Sequence, residues 1–318
     1  MIEHTITLHG PGAGGGKPRP AAAAPLLSVL EPALRDNLRL AFFSSSRIKG
    51  RPSRPLQKAW AIRLAGLRAG QDGATVLVFE APTLGEAAPA LYDQRDLWDD
   101  APGPDETALD LLGYTLADIG ARLDTSNRFD LPLLRRIHQF RRALDHGVSR
   151  ITISGQRRAP RRDIPAIEQP LIEAVGRLIS TTPSPRRVRV QGVLDMVRCS
   201  DRVFEVETGG GERLRAVWTP MDLAPLKEYL NTGVLIEGDA SFRPNGKVLR
   251  VDVDAIRPAL PEDAFFSVLP RPEPNPAQAA HLPDRGSRAN GGLASLAGAW
   301  PGDESAEELL ATLADLGR

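Results

Sequence analysis

The sequence predicts an α+β chain, and three observations carry that prediction. Helical and strand-like periodicities alternate over the first 155 residues. Short alternating segments separated by glycine-rich turns then fill residues 186–258. After them comes Pro-, Gly- and Ala-rich sequence with no period, closed by one last short helical pattern. At 318 residues the chain is long enough for two separate cores.

Taken in order, Thr5–Leu8 reads as a short strand, and Gly10–Ala24 as low-complexity, mobile sequence. Glu31–Ala41 reads as a helix opened by Pro32, with Leu34 and Leu38 on one face. Arg47–Pro55 is a basic loop. In Trp60–Leu67, Trp60, Ile62 and Leu64 alternate as in a half-buried strand, and Ala74–Glu80 alternates in the same way across a turn at Ala69–Gly73. The two strands should form an antiparallel hairpin. Asp105–Leu123 carries Leu109, Leu112, Leu116, Ile119 and Leu123 as an apolar helical stripe. A second helix should start from an Asp130 cap, face Leu133, Ile137, Phe140 and Leu144 inward and stop at Gly147. Val148–Ser154 completes an α+β domain with a flexible N-terminal loop over residues 1–155. Residues 156–185 read as a basic loop and a connecting helix near Pro170–Ser180.

Residues 186–260 carry the most diagnostic pattern. Arg187–Arg198, Arg202–Thr208 and Arg213–Thr219 alternate as strands, the last two joined by Gly209-Gly210-Gly211. Asp222–Leu230 is a short helix. Val234–Phe242 and Gly246–Ile256 form a hairpin about Asn245-Gly246, a strong short turn signal. Three strands, a helix and two strands in this span is the order of a five-stranded OB-like β-barrel. Residues 261–299 read as a tether, within which Phe265, Phe266, Val268 and Leu269 should dock back on a domain.

The formal net charge of zero comes from cancelling blocks. Residues 35–68 carry nine Lys/Arg against Asp36, residues 80–110 nine Asp/Glu against Arg95, and residues 128–162 ten Arg against Asp130 and Asp145. Such blocks bind anions, engage one another or are simply solvated. Arg135, Arg136 and Arg142 on the second helix, with Arg157, Arg158, Arg161 and Arg162 in the loop after it, are the candidate nucleic-acid contacts beside the barrel. The barrel offers few aromatics for base stacking, and Phe204, Trp218 and Phe242 read as core.

The chemical motifs fail on spacing. Gly16-Lys17 would need glycine at Pro11 and Ser/Thr at Pro18 to form a phosphate loop. The five histidines are scattered, and Cys199 is the single cysteine, so neither a zinc site nor a disulfide framework is predicted. Asp252 and Asp254 read as the outer face of a strand before a metal pair. No catalytic residue, metal or cofactor is assigned, and the chain reads as non-enzymatic. Met1-Ile-Glu-His lacks the basic start of a signal peptide, and no run reaches the ~18 apolar residues of a membrane span. The expected location is cytoplasmic.

Residues 300–318 form an acidic amphipathic helical pattern beyond the tether. Ser305 and Glu308 make a capping box, Asp303, Glu304 and Glu307 crowd its positive end, and Leu309, Leu310, Leu313 and Leu316 share one side. With Trp300 in front, these leucines form a partner-binding face, or they bury against the chain's own domains. Trp300-Pro-Gly-Asp-Glu-Ser305 followed by this helix resembles the C-terminal segment of bacterial proteins encoded beside PIN-domain ribonuclease toxins. Leu84-Gly-Glu-Ala-Ala-Pro89 and Asn127-Arg-Phe-Asp-Leu-Pro-Leu-Leu-Arg-Arg136 resemble stretches of uncharacterised bacterial proteins of the same layout. The resemblance implies an antitoxin-like role, with the tail sheathing a PIN-type toxin encoded nearby.

Overall fold

The computed structural model describes residues 1–47, 54–92, 102–155, 163–199, 202–220, 222–269 and 272. The tail residues Trp300, Leu309, Leu310, Leu313 and Leu316, and the loop residues Arg157, Arg158, Arg161 and Arg162, lie outside them.

The N-terminal half is a four-stranded sheet covered by helices. β1 (Ile2–His9) pairs antiparallel with both β3 (Thr75–Ala81) and β4 (Arg150–Ser154), and β2 (Arg63–Ala69) completes the order β2-β3-β1-β4. His4, Ile6 and Leu8 face one side of β1, and Leu77 and Phe79 share the buried side of β3. Against this face pack leucines of α1 (Pro20–Phe43), the short α3 (Leu84–Ala87), α4 (Ala108–Gly120), α5 (Leu131–His138) and α7 (Gln169–Thr181), in one continuous core. α7, expected as a connector, belongs to that core through Leu171, Ile172, Val175 and Leu178.

Three local expectations change. α1 begins at Pro20 instead of near Pro32, and it runs through Pro25 and Pro32. An internal proline costs a helix roughly 3 kcal/mol. Here the cost is offset by a buried stripe of Ala22, Leu26, Val29, Leu30, Ala33, Leu34 and Leu38. Trp60 is not a strand residue but the last residue of α2 (Arg54–Trp60), where Leu56, Ala59 and Trp60 bury at helical spacing. β2 is consequently an edge strand, with Leu64 and Leu67 about half exposed at 46% and 50%. The predicted long helix after Asp130 is divided into α5 and α6 (Arg141–Leu144).

The Gly10–Lys17 loop, expected to be mobile, is tied down by its own backbone. Gly12 N donates to Gly147 O, Gly15 N to Gly73 O, and Gly16 N to Thr75 Oγ1 at 2.7 Å. Thr75 Oγ1 in turn donates to Ala13 O, which fixes the loop to β3. α1 follows almost at once, so strand, glycine loop and helix do stand in the order of a phosphate loop. The amides named here are already engaged with protein acceptors.

The C-terminal half is a closed barrel. β5 (Arg186–Arg198), β6 (Val203–Thr208), β7 (Arg213–Trp218), β9 (Val248–Pro258) and β8 (Gly233–Phe242) neighbour one another in that circular order. All pairs are antiparallel except β7 with β9. α8 (Ala224–Glu228) lies between the third and fourth strands, as the OB-like reading expects, and buries Leu226. Val190, Leu194, Phe204, Val206, Ala216, Ile236 and Val251 fill the interior. At Gly238 a Cβ would run into the backbone of Asp252, so the close approach of β8 to β9 requires glycine. After β9, a 3-10 turn over Pro261–Ser267 lies along β5, with Phe266 near the Arg189 guanidinium and Leu269 against the barrel core. Phe265 stays 86% exposed.

Candidate functional site

The arginines occupy two contrasting places. The first is the joint between the helical half and the barrel. α1 ends at Ser44, whose left-handed backbone (φ 56°) turns the chain while its N–H bonds Leu40 O. The carbonyls at this negative end of the helix receive barrel arginines: Arg198 donates to Phe42 O, and Arg250 Nη1 to Ser44 O. Arg215 donates to Ser44 Oγ at 3.1 Å. Asp130, buried at the start of α5, accepts from Leu133 N (3.0 Å), Ser46 N (3.1 Å), Ser46 Oγ (2.6 Å) and Arg250 Nη1 (3.4 Å). Asp252 holds the other edge of the Arg250 guanidinium, with Oδ1 2.9 Å from Nε. Asp254, its companion on the strand, pairs with Arg187. Both carboxylates are thus engaged by arginines.

The second place is a cleft between α1 and α2. Ser28, Glu31, Pro32, Arg35 and Arg39 recur at three- and four-residue spacing and form one wall, roughly 16 Å from end to end at 1.5 Å per residue. Arg54, Gln57, Lys58 and Trp60 of α2 and Ala61 after it complete the lining with Leu27 of α1, around an open volume of about 1010 Å³. Arg35 bonds Asp36, whose second oxygen takes Arg136 Nε at 3.2 Å. One carboxylate is therefore shared by two guanidinium groups, and it joins two of the basic blocks of the sequence. Arg39 lies over the Trp60 ring, 5.9 Å from its centroid. Burial first and Arg35 second hold its pKa below the ordinary arginine value, with Asp36 opposing. Among the described residues, no carboxylate lies within 4 Å of Arg39, Arg54 or Lys58. Glu31 is the single acid among the described residues that line the cleft.

Of the predicted nucleic-acid contacts, Arg136 is drawn into the Asp36 pair and also donates to Gln139, whereas Arg135 and Arg142 are exposed. The outward face of β6 and β7 carries no base-stacking aromatic. It pairs Glu205 with Arg215 across the strands and sets Glu207 opposite Arg213, whose guanidinium pairs with Asp195 of β5, while Phe204 and Trp218 point into the barrel. The cleft cations Arg39, Arg54 and Lys58 are not among the sequence-predicted contacts. Their signal is the basic block at 35–68, which stays hidden while α1 is started near Pro32 and Trp60 is placed on a strand.

A third polar cluster is structural. His4 Nε2 lies 2.9 Å from Thr107 Oγ1, which bonds Asp110 Oδ2 at 2.8 Å, and Thr107 with Asp110 forms the capping box of α4. All three side chains are buried, and burial lowers the His4 pKa against the opposing pull of Asp110. Glu106, from the acidic block, accepts from Gly103 N and Tyr114 OH.

Among the described residues no group of three His, Cys, Asp or Glu is placed to hold a metal, and no helix is long and apolar enough to cross a membrane. Cys199 is an exposed thiol in the turn after β5. Comparison with family models, with curated proteins and with solved structures finds no match.

Proposed function

We propose that this chain is a non-enzymatic binding protein that takes a nucleic-acid backbone on the helical side of its N-terminal half. The observation that carries this reading is the α1–α2 cleft, which Arg39, Arg54 and Lys58 all line with no carboxylate paired to them among the described residues. Arg39 is partly desolvated and Arg54 and Lys58 are exposed, and each gains from a phosphate, which also releases its condensed counterions. Arg135 and Arg142, exposed on α5 and α6, extend the positive surface, and Arg157, Arg158, Arg161 and Arg162 add to it in the sequence. The barrel contributes differently from the OB-like expectation. The outer side of β6 and β7 carries the Glu205–Arg215 ion pair, Arg213 pairs with Asp195, and Arg215 also reaches Ser44 of the helical half. Arg198, Arg215 and Arg250 therefore serve the joint.

The test is fluorescence anisotropy of single-stranded and duplex oligonucleotides across a salt series. Binding should fall steeply between about 50 and 200 mM salt, as each neutralised phosphate adds about 0.7 to 0.9 to the log–log slope. Replacing Arg54 and Lys58 with Gln should weaken binding by about tenfold or more and flatten the slope by about one to two. Unchanged affinity and slope in that variant would sink the reading.

A second reading rests on the tail. Its capping box and one-sided leucines support an antitoxin-like contact with a partner protein, a PIN-type nuclease being the partner that the resemblance suggests. Co-expression of the full chain and a version lacking residues 300–318 with the neighbouring gene product tests it. Equal recovery of that product by both would remove the tail from the interaction.

A further inference from the structure

The cleft is not uniformly basic, and its polarity suggests what it holds. Along the α1 wall the cations Arg35 and Arg39 stand toward the helix C-terminus, while Ser28, Glu31 and Pro32 line the other end with Leu27. From Ser28 to Arg39 the wall spans roughly 16 Å. We infer that the α1–α2 cleft is a nucleotide site: a phosphate group sits at Arg39, within the reach of the cations that α2 brings to the cleft, and the base lies toward Leu27, Ser28, Glu31 and Pro32. This inference rests on the nucleic-acid reading above and narrows it to a single residue of the strand.

Each half of the site has the chemistry its occupant needs. A phosphate supplies the anion that Arg39 lacks. The guanidinium already lies over Trp60 and is crowded by Arg35, so it is restricted to few orientations before any ligand arrives. Arginine's planar fork then engages two phosphate oxygens at once, with Lys58 and Arg54 as further point charges. At the other end, Leu27, 38% exposed, and Pro32 offer apolar surface to a base. The Glu31 carboxylate can accept hydrogen bonds only, so it suits an exocyclic amino group, as on adenine, cytosine or guanine, and disfavours a base edge made of carbonyl oxygens. A phosphate alone would leave that end empty, and a second phosphate there would meet Glu31, so the cleft takes one phosphate of a strand together with its base. The mixed lining fits a ligand that is anionic at one end and a hydrogen-bond donor at the other.

Titration of the full chain with nucleoside 5′-monophosphates, the matching nucleosides and inorganic phosphate tests the inference. The monophosphates should bind more tightly than either fragment, and adenosine or cytidine monophosphate more tightly than uridine monophosphate. Arg39→Gln should weaken the monophosphates at least tenfold while leaving the weak nucleoside binding in place, and Arg39→Lys should fall between. Glu31→Gln should narrow the spread among the four bases without loss of phosphate affinity. A far-ultraviolet circular dichroism spectrum matching the parent confirms that each variant is folded. Absence of monophosphate binding at millimolar concentration, or affinity indifferent to Arg39→Gln, overturns the inference. If oligonucleotides still bind with a steep salt dependence in that case, the nucleic-acid reading stands and the nucleotide site falls. Monophosphate binding without oligonucleotide binding has the opposite consequence: the nucleotide site stands and the nucleic-acid reading falls.

Discussion

The joint and the cleft are both made of arginines, yet they use them in opposite ways. At the joint, Arg250 is almost fully buried and meets Asp130, Asp252 and the Ser44 carbonyl. In the cleft, Arg39 is half-buried and has an indole face, a neighbouring arginine and no close carboxylate among the described residues. Burial of a charge is tolerated when its hydrogen bonds are met. The joint satisfies that rule within the chain, and the cleft leaves it to be satisfied from outside. Counting charges along the sequence cannot separate the two. What separates them is where each cation finds its anion.

The comparison breaks most visibly at Asp130. This carboxylate caps α5, fixes Ser46 through two bonds and receives Arg250 from the barrel. Asp130→Ala removes all four at once and leaves the buried Arg250 guanidinium with Asp252 and the Ser44 carbonyl. A loss of about 3 to 5 kcal/mol in unfolding free energy is expected from denaturant titration. Arg250→Met should cost less, about 1 to 3 kcal/mol, because Asp130 keeps its three donors from Leu133 and Ser46. The double variant should cost less than the two singles together, since the groups share one network. Strict additivity would show that the joint is held by packing and that its ion pair is incidental.

The same contrast explains what is legible in the sequence. The barrel can be read because its strands alternate and its turns, Gly209-Gly210-Gly211 and Asn245-Gly246, are local signals. Asp130 as a helix cap is likewise written in four consecutive residues. The cleft cannot be read, since its walls come from two helices whose limits are decided by tertiary packing. A helix that runs through Pro25 and Pro32 contradicts local propensity, and only its buried stripe overrides it. A helix begun at Glu31 leaves Leu27 and Ser28 outside, and Arg35 and Arg39 lose the stripe that gives the cleft its polarity. Trp60 misleads for a related reason. Its spacing to Ile62 and Leu64 suits a strand, while its burial follows from Leu56 and Ala59.

A pH titration sharpens the comparison with a third buried group, His4, which burial keeps neutral. Burial holds the His4 pKa below its unfolded value, which is about 6.5. Above that pH neither state carries the proton, and the site does not affect stability. As pH falls below it, the unfolded chain takes up a proton that the folded chain refuses. Stability then drops by up to about 1.4 kcal/mol per pH unit, until folded His4 protonates as well. His4→Gln should remove that part of the slope, read as the pH dependence of the denaturation midpoint, with the Thr107–Asp110 cap left in place. A slope unchanged by the substitution would assign the acid sensitivity elsewhere.

The smallest effect on stability is expected where the effect on binding is largest. Arg39→Gln deletes a cation that is partly desolvated and repelled by Arg35, against which the chain sets one cation–π contact and the more distant Asp36. These contributions nearly cancel, so the unfolding free energy should move by no more than about 0.5 kcal/mol, in either direction. Were Arg39 a structural partner of the Arg250 kind, its removal would cost several times that, by the same logic that makes Asp130 indispensable. A large loss of stability on Arg39→Gln would therefore move the cleft into the class of the joint and withdraw the reason for placing a phosphate in it. A silent substitution in the melt that weakens ligand binding tenfold is the signature of a charge whose partner comes from outside the chain.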